Sequence, residues 1–377
     1  MAMKHSPLRD LKIIDLSSVL AGPMTANMFS ELGAKVLRIE NAKSRGDSTR
    51  TWLRAGEHYD EEVSSYHASV NYNKSIVQKD LSLAGDHQWL MQELEDADVL
   101  IGNFSPIAQE KLNLRLDDLR RRYPALIIGW ISTYPNDRNR PAYDAVLQAE
   151  TGWMSINGEE GKPPLKLPVA VIDVFASHQL RAGILTALLH KHNSHKGSFV
   201  EVFLVEAALA AQVNQSSYAL NQNVNPSPMG SAHPNICPYG DLVECKGGDY
   251  LLFAVGTDAQ YLRLAEVLNE PRMLADNFRT NPQRVIHRTT LIDILQDVCR
   301  QYSALSLHSK LTAANIPCAR VQGILDAFKE RPHMTHEKPE GPCAPSTPGD
   351  PIGPQPPRSP TQPFQPPWIP WGPMGPK

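Results

Sequence analysis

The stretch from Leu11 to Glu40, LKIIDLSSVLAGPMTANMFSELGAKVLRIE, constrains the fold more than any other part of the chain. An apolar run at Ile13 and Ile14 gives way to a loop broken by Gly22 and Pro23. A short helical pattern then stops at Gly33, and a second apolar run covers Val36 to Ile39. Strand, loop, helix, glycine stop and strand make a βαβ unit, which requires parallel strands. Two further strand patterns, DADVLIGNF ending at Asn103 and Phe104 and ALIIGWIS ending at Ser132, each follow an amphipathic helical stretch. This alternation predicts an α/β fold with a Rossmann-like, doubly wound parallel sheet, whose ligands lie beyond the carboxyl ends of the strands.

At one such end, LKLPVAVIDVFASHQLRAGILTALLH runs from Leu165 to His190. A strand-like run from Val169 to Ile172 meets Asp173, and helical spacing of Leu180, Ile184, Leu188 and Leu189 follows at once. Asp173 there has two readings. Asp is a favoured N-cap, accepting hydrogen bonds from the unpaired first-turn amides. Yet position 176 is alanine, so no capping box supports that role. The local pattern favours the cap, and a carboxylate at a strand's carboxyl end, where ligands sit, leaves a chemical role for the rest of the chain to decide.

The opening unit lacks GxGxxG in its loop, so the close backbone approach that a dinucleotide pyrophosphate needs is missing. Glu40 resembles a ribose-binding acid only by position. His190, His192 and His195 complement the dipole at a helix end and have no acidic or cysteine partner at ligand spacing, so no metal site is expected. A formal net charge of -3 with interspersed signs excludes a nucleic-acid footprint. No run approaches the roughly 20 apolar residues of a membrane span, and the N-terminus lacks a signal-peptide core. Five widely spaced cysteines without a CxxC pair point to a reducing cytoplasm.

The composition divides the chain into a large domain over residues 1–215, a smaller α+β domain over 216–330, and a tail over 331–377. The smaller domain opens with HPNICPYGDLVECKGGDYLLFAVG, two short strands around a Gly-Gly turn. The tail holds 16 of the 32 prolines and is expected to be extended or disordered.

Seven stretches, in order, resemble the class III coenzyme A transferases, the group that includes formyl-CoA transferase, carnitine CoA-transferase and the α-methylacyl-CoA racemases. They are DLSSVLAGPMTANMFSELGAKVLRIE, NYNKSIVQKDL, DADVLIGNF, AYDAVLQAETGWMSING, VIDVFASHQLRAGILTALLHKHNSHKG, HPNICPYG and IPCARV, together spanning roughly residues 8 to 330. The resemblance implies exchange of CoA between an acyl-CoA and a small carboxylic acid. CoA thioesters are the substrates and no cofactor is tightly bound.

Asp173 aligns with the family's covalently acylated aspartate. A carboxyl of pKa about 3.9 is ionised at neutral pH and attacks a thioester without a base. By the same resemblance Ser18, Val19 and Leu20 meet the CoA moiety, and Asn103 and Phe104 line its site. Lys111 approaches the CoA phosphates and Lys74 belongs to the NxNK signature, with simple solvent exposure as the alternative for both lysines.

Tyr143 stands where related racemases have histidine. A phenol of pKa about 10 is a poor base, which favours transfer over racemisation or epimerisation. A noncatalytic CoA-binding paralogue is the remaining alternative. Gly230 is the one glycine where the family carries a glycine-rich lid, and Arg140 is a candidate partner for a second substrate carboxylate. The family's architecture implies an interlocked homodimer. Its chain returns to the large domain where this one turns proline-rich, which leaves a divergent tail or a frameshifted end as readings.

Overall fold

The computed structural model describes residues 8–57 and 63–330. The expectation of an extended proline-rich tail over 331–377 lies outside them. The described chain forms two compact units, one of residues 8–151 and 167–223, the other of 152–166 and 224–330.

The first unit is built on six parallel strands, β1 (Lys12–Asp15), β2 (Lys35–Asn41), β3 (Ser75–Lys79), β4 (Val99–Gly102), β5 (Ile127–Ser132) and β6 (Phe199–Phe203), in the order β3-β2-β1-β4-β5-β6. This is the doubly wound order, with its switch point between β1 and β4. The central strands are continuous apolar runs because helices cover both faces. Ile13, Ile14, Val99, Leu100, Ile101, Ile127 and Ile128 are all 0% exposed.

A 24-residue helix, Val171–Ser194, lays a stripe of Ile172, Ala176, Leu180, Ile184 and Ala187 against the core at helical spacing. It also packs on the Ala21–Glu31 helix. There the Thr25 hydroxyl donates to Ser177 Oγ at 3.1 Å, and both side chains are buried.

Gly22, in the first turn of the Ala21–Glu31 helix, is required by close approach. A Cβ there would lie 2.2 Å from Ser17 Cβ. Gly22→Ala is therefore expected to push the β1 loop outward, destabilising the protein by about 1–3 kcal/mol, which urea unfolding would measure.

The second unit has the antiparallel sheet β7 (Tyr239–Glu244), β8 (Tyr250–Ala254) and β9 (Cys318–Arg320), in the order β7-β8-β9. Leu251, Phe253, Leu264, Leu295 and Leu307 form its core with the surrounding helices. Arg284, 0% exposed, donates to the carbonyls of Cys237 and Phe278, pairs with Asp258, and lies over the Tyr261 ring.

The boundary expected after residue 215 falls instead after Asn223. The helix Asn214–Gln222 runs through that position and ends on Asn223 in the left-handed region. Residues 152–166, expected in the large domain, belong to the second unit, where the Gly230 amide donates to the Gly158 carbonyl at 2.7 Å. Among the described residues no helix is long and apolar enough to cross a membrane.

Candidate active site

Beyond the carboxyl end of β1 the chain turns through Ser17, Ser18, Val19 and Leu20 into the Ala21–Glu31 helix, and beyond β4 it passes through Asn103. The two loops are tied to each other across the switch point. The Ser18 amide donates to Asn103 Oδ1 at 3.1 Å, and Asn103 Nδ2 donates back to the Ser18 carbonyl at 3.2 Å. Ser18 and Asn103, singled out from the sequence, are thus brought together where an α/β sheet opens to ligands. Val19 is half-buried with φ of 69°, a left-handed conformation that a β-branched residue adopts only under constraint. Leu20 is buried and supplies no side-chain cap to the helix.

Below this loop lies a buried ion cluster. Asp15 ends β1, Arg38 and Glu40 come from β2, Lys74 precedes β3, and Asp47, Arg50 and His67 complete the group. The side chains of Asp15, Arg38 and Lys74 are 0% exposed. Three carboxylates meet three cations, so the charges cancel, as burial demands. Burial alone would raise Asp15, but the adjacent Lys74 and Arg38 charges outweigh it and hold the carboxyl below its usual range. Burial likewise opposes ionisation of Glu40, and hydrogen bonds from His67 and Arg50 reverse that effect.

Lys74 corrects the sequence reading. Its ammonium donates to Asp15 Oδ2 at 3.1 Å, the Pro23 carbonyl at 2.7 Å and Asn71 Oδ1 at 3.1 Å. All three protons are committed inside the protein, so this lysine neither contacts a CoA phosphate nor faces solvent. Burial pulls its pKa down to about 7. Glu40, considered as a ribose acid, is consumed by Arg38, Arg50 and His67 in the same cluster.

Asp173 is not the cap of its helix. The helix starts at Val171 with Ala170 as N-cap and no side-chain cap, so Val171 and Ile172 are helical rather than strand. The capping bond comes from another element. Asp144, buried at the head of the Asp144–Glu150 helix, accepts the Ile172 amide on Oδ2 at 2.8 Å. Gln148, one turn on, donates to Asp144 Oδ1 and accepts the Leu167 amide on Oε1 at 2.8 Å. This brace fixes the chain as it enters the long helix and releases Asp173 from local duty.

The Asp173 carboxylate has no hydrogen-bond or ion-pair partner among the described residues. Its own amide is also left over. Val171 donates to the Val169 carbonyl, Ile172 to Asp144 and Val174 to the Ala170 carbonyl. Burial, assisted by the neighbouring Asp144 charge, pushes the Asp173 carboxyl up to about 7. The expectation of a carboxylate near pKa 3.9 is corrected accordingly: burial and the Asp144 charge hold the proton more tightly than in an ordinary aspartate.

Tyr66 is a residue that the sequence reading missed. Burial raises its phenol to about 12, with the charges of Asp173, Asp144 and Asp47 adding to the shift. Its phenol thus lies within electrostatic range of Asp173, Asp144 and Asp47. Trp52 packs edge-on to Tyr66 at 5.2 Å and to Tyr143 at 6.4 Å, which extends the aromatic wall outward. Tyr143 is 62% exposed at the outer end of that wall.

Phe104 is half-buried and edge-on to Trp130 at 6.3 Å, so much of its ring serves the core. Lys111 is exposed at the end of the Pro106–Lys111 helix and has no ion-pair partner among the described residues. Arg140 is engaged by Glu150 and lies over the Tyr134 ring at 4.3 Å. No three His, Cys, Asp or Glu side chains among the described residues gather at a metal-binding distance.

The fold and this site together define a doubly wound α/β protein with a half-buried carboxylate, Asp173, that has no partner among the described residues. Residues 8–339 match the model of CoA-transferase family III, and the chain belongs to that family. It is similar to an acyl-CoA transferase of Fusarium pseudograminearum, 34% identical over 76% of this chain and 64% of that one. It is also similar to the succinate–glutarate CoA-transferase of Agrobacterium fabrum, 30% identical over 88% of this chain and 84% of that one. Among solved structures, a CaiB/BaiF family protein from Brucella suis superposes with a TM-score of 0.74 at 28% identity, covering 86% of each chain.

Proposed function

We propose that the protein moves CoA from an acyl-CoA donor to a carboxylic acid through covalent intermediates on Asp173. The observation that carries this reading is a carboxylate held in the first turn of a long helix, yet excused from capping by Asp144. Burial makes it more basic than an ordinary aspartate, and a more basic carboxylate is a stronger nucleophile once ionised. The positive end of the helix favours that ionised form over the alternative of leaving it buried without compensation.

The chemistry balances without an external acid or base. Asp173 attacks the thioester carbonyl, the C–S bond breaks, and CoA leaves as thiolate, giving a mixed anhydride. The thiolate then attacks the Asp173 carbonyl, expelling the donor carboxylate and leaving an aspartyl-CoA thioester. The acceptor carboxylate attacks this thioester, releasing CoA thiolate and forming a second anhydride. Attack of the thiolate on the acceptor's carbonyl frees Asp173 and the new acyl-CoA. The uncommitted Asp173 amide is a donor available to an oxyanion formed at this carboxyl, and the Trp52–Tyr66 wall shields the acyl intermediates from water.

In this reading Ser18, Val19, Leu20, Asn103 and Phe104 border the CoA chain, and Lys111 offers a charge to its phosphates. The protein works as a homodimer without a resident cofactor, in a reducing compartment consistent with unpaired Cys237, Cys245, Cys299 and Cys318. Succinyl-CoA is the donor to try first, since relatives are named for succinate–glutarate and succinyl-CoA:mesaconate transfer.

The test is an exchange assay with succinyl-CoA and isotopically labelled carboxylic acids, reading labelled acyl-CoA by mass spectrometry. Ping-pong kinetics with a labelled product is the expected result. Deuterium exchange at the α carbon of an acyl-CoA without transfer would replace the reading with racemisation.

A further inference from the structure

The β1 loop is held by more bonds than its length requires. Ser17 donates its amide to Asp15 Oδ1 at 3.0 Å, and its carbonyl accepts Arg38 Nη1 at 3.0 Å. Both polar groups of the Ser18 backbone are taken by Asn103. The Val19 amide donates to Asp47 Oδ2 at 3.0 Å. The residue that Asp47 holds is also the one of the loop in the least favourable conformation. Val19 has φ of 69°, unfavourable for a β-branched residue, so the surroundings must supply the stabilisation that keeps it there.

Asp47 is the group that supplies it. Its side chain is 1% exposed and every acceptor direction is used. Oδ2 takes Val19 and Arg38 Nη2, the latter at 2.7 Å, while Oδ1 takes the Thr49 amide at 2.9 Å and the Thr49 hydroxyl at 2.7 Å. Thr49, 0% exposed, thus fixes the carboxylate from below, and Arg38 fixes it from the side. The ion cluster ends at one backbone amide of the loop that borders the ligand.

We infer that Asp47 is a positioning residue for CoA thioesters: through the Val19 amide it holds the β1 loop in a strained shape that the free loop would abandon. The inference rests on the proposed placement of CoA against residues 18–20. Its consequence is that the contribution of Asp47 to CoA binding depends on the identity of residue 19. With glycine there, positive φ carries no Cβ penalty and the loop keeps its shape unaided.

The experiment is a double-mutant cycle on the full chain, with binding of free CoA measured by isothermal titration calorimetry. Asp47→Asn should weaken CoA binding at least about 10-fold in the wild-type background, because Asn cannot accept from Val19, Arg38 and Thr49 together. In the Val19→Gly background the same change should weaken it less than about threefold. A purely structural Asp47 would lower thermal stability alike in both backgrounds and leave the two binding ratios equal.

Equal ratios, or unchanged affinity in Asp47→Asn, overturn the inference while leaving the CoA reading intact. Wild-type protein that binds no CoA overturns both. Should Asp47→Asn fail to fold, Thr49→Val removes one hydrogen bond to the carboxylate and keeps every charge. It should weaken binding about threefold, and that loss too should vanish with Val19→Gly.

Discussion

Asp173→Ala should reduce CoA transfer by about 10⁴-fold or more while leaving the circular dichroism spectrum and oligomeric state unchanged. The size follows from removing the atom that forms the covalent bond, since acylation has no second route. Retention of fold follows from the structure. The Ile172 amide is capped by Asp144, not by Asp173, and the stripe from Ile172 to Ala187 that anchors the helix is untouched. Asp144→Ala is the informative contrast. It removes the capping bond and the brace to Gln148, so it should lower stability by about 1 kcal/mol and reduce transfer together. A variant at Asp173 retaining a tenth of wild-type turnover would exclude covalent catalysis at this residue.

The second large effect concerns pH and stability. Burial and Asp144 raise the Asp173 carboxyl from 3.8 to about 7. Between those values the folded protein holds a proton that the unfolded chain has lost, so stability falls as pH rises through this window and the penalty is complete above about 7. Asp173→Asn carries no such penalty. At pH 8 it should therefore be more stable than wild type, while at pH 4 the two should be alike.

Part of the Asp173 surface reaches solvent, which screens the charge, so a gain of about 1–2 kcal/mol is expected, less than an unscreened carboxyl raised to about 7 would give. That corresponds to a Tm several degrees higher. Donor acylation should show the opposite trend, rising with pH through about 7 as the nucleophile ionises. Melting curves at pH 4 and pH 8 and a single-turnover pH profile check both. A profile flat from pH 5.5 to 8 would show that Asp173 reacts from a carboxyl of ordinary acidity. The trade is a familiar one, in which a reactive group is kept at some cost to the fold.

The parallel sheet was legible because each central strand is an unbroken apolar run and each connection carries a glycine or proline stop. Asn103 and Ser18 were legible through the family resemblance, and both lie just beyond such runs. What escaped was set by contacts distant in sequence. Val169 to Ile172 reads as a strand, but Asp144, 28 residues before Ile172, caps a helix there and draws Val171 and Ile172 into it. Lys74 looks like a surface lysine beside a strand, since nothing near it in sequence reveals that Asp15, 59 residues away, waits for its ammonium. Tyr66 lies in a stretch without periodicity, and its nearness to Asp173 arises only when the sheet brings the chain ends of several strands together. The second unit's claim on residues 152–166 was hidden for the same reason, because the bond from Gly230 to Gly158 spans 72 residues.

The most direct measurement mixes the purified protein with succinyl-CoA in the absence of acceptor, quenches with hydroxylamine, and maps the modified peptide by tandem mass spectrometry. The account predicts a hydroxamate at Asp173, absent without donor and absent in Asp173→Asn. A hydroxamate at another carboxylate, or turnover with no trapped aspartyl species at all, would contradict it.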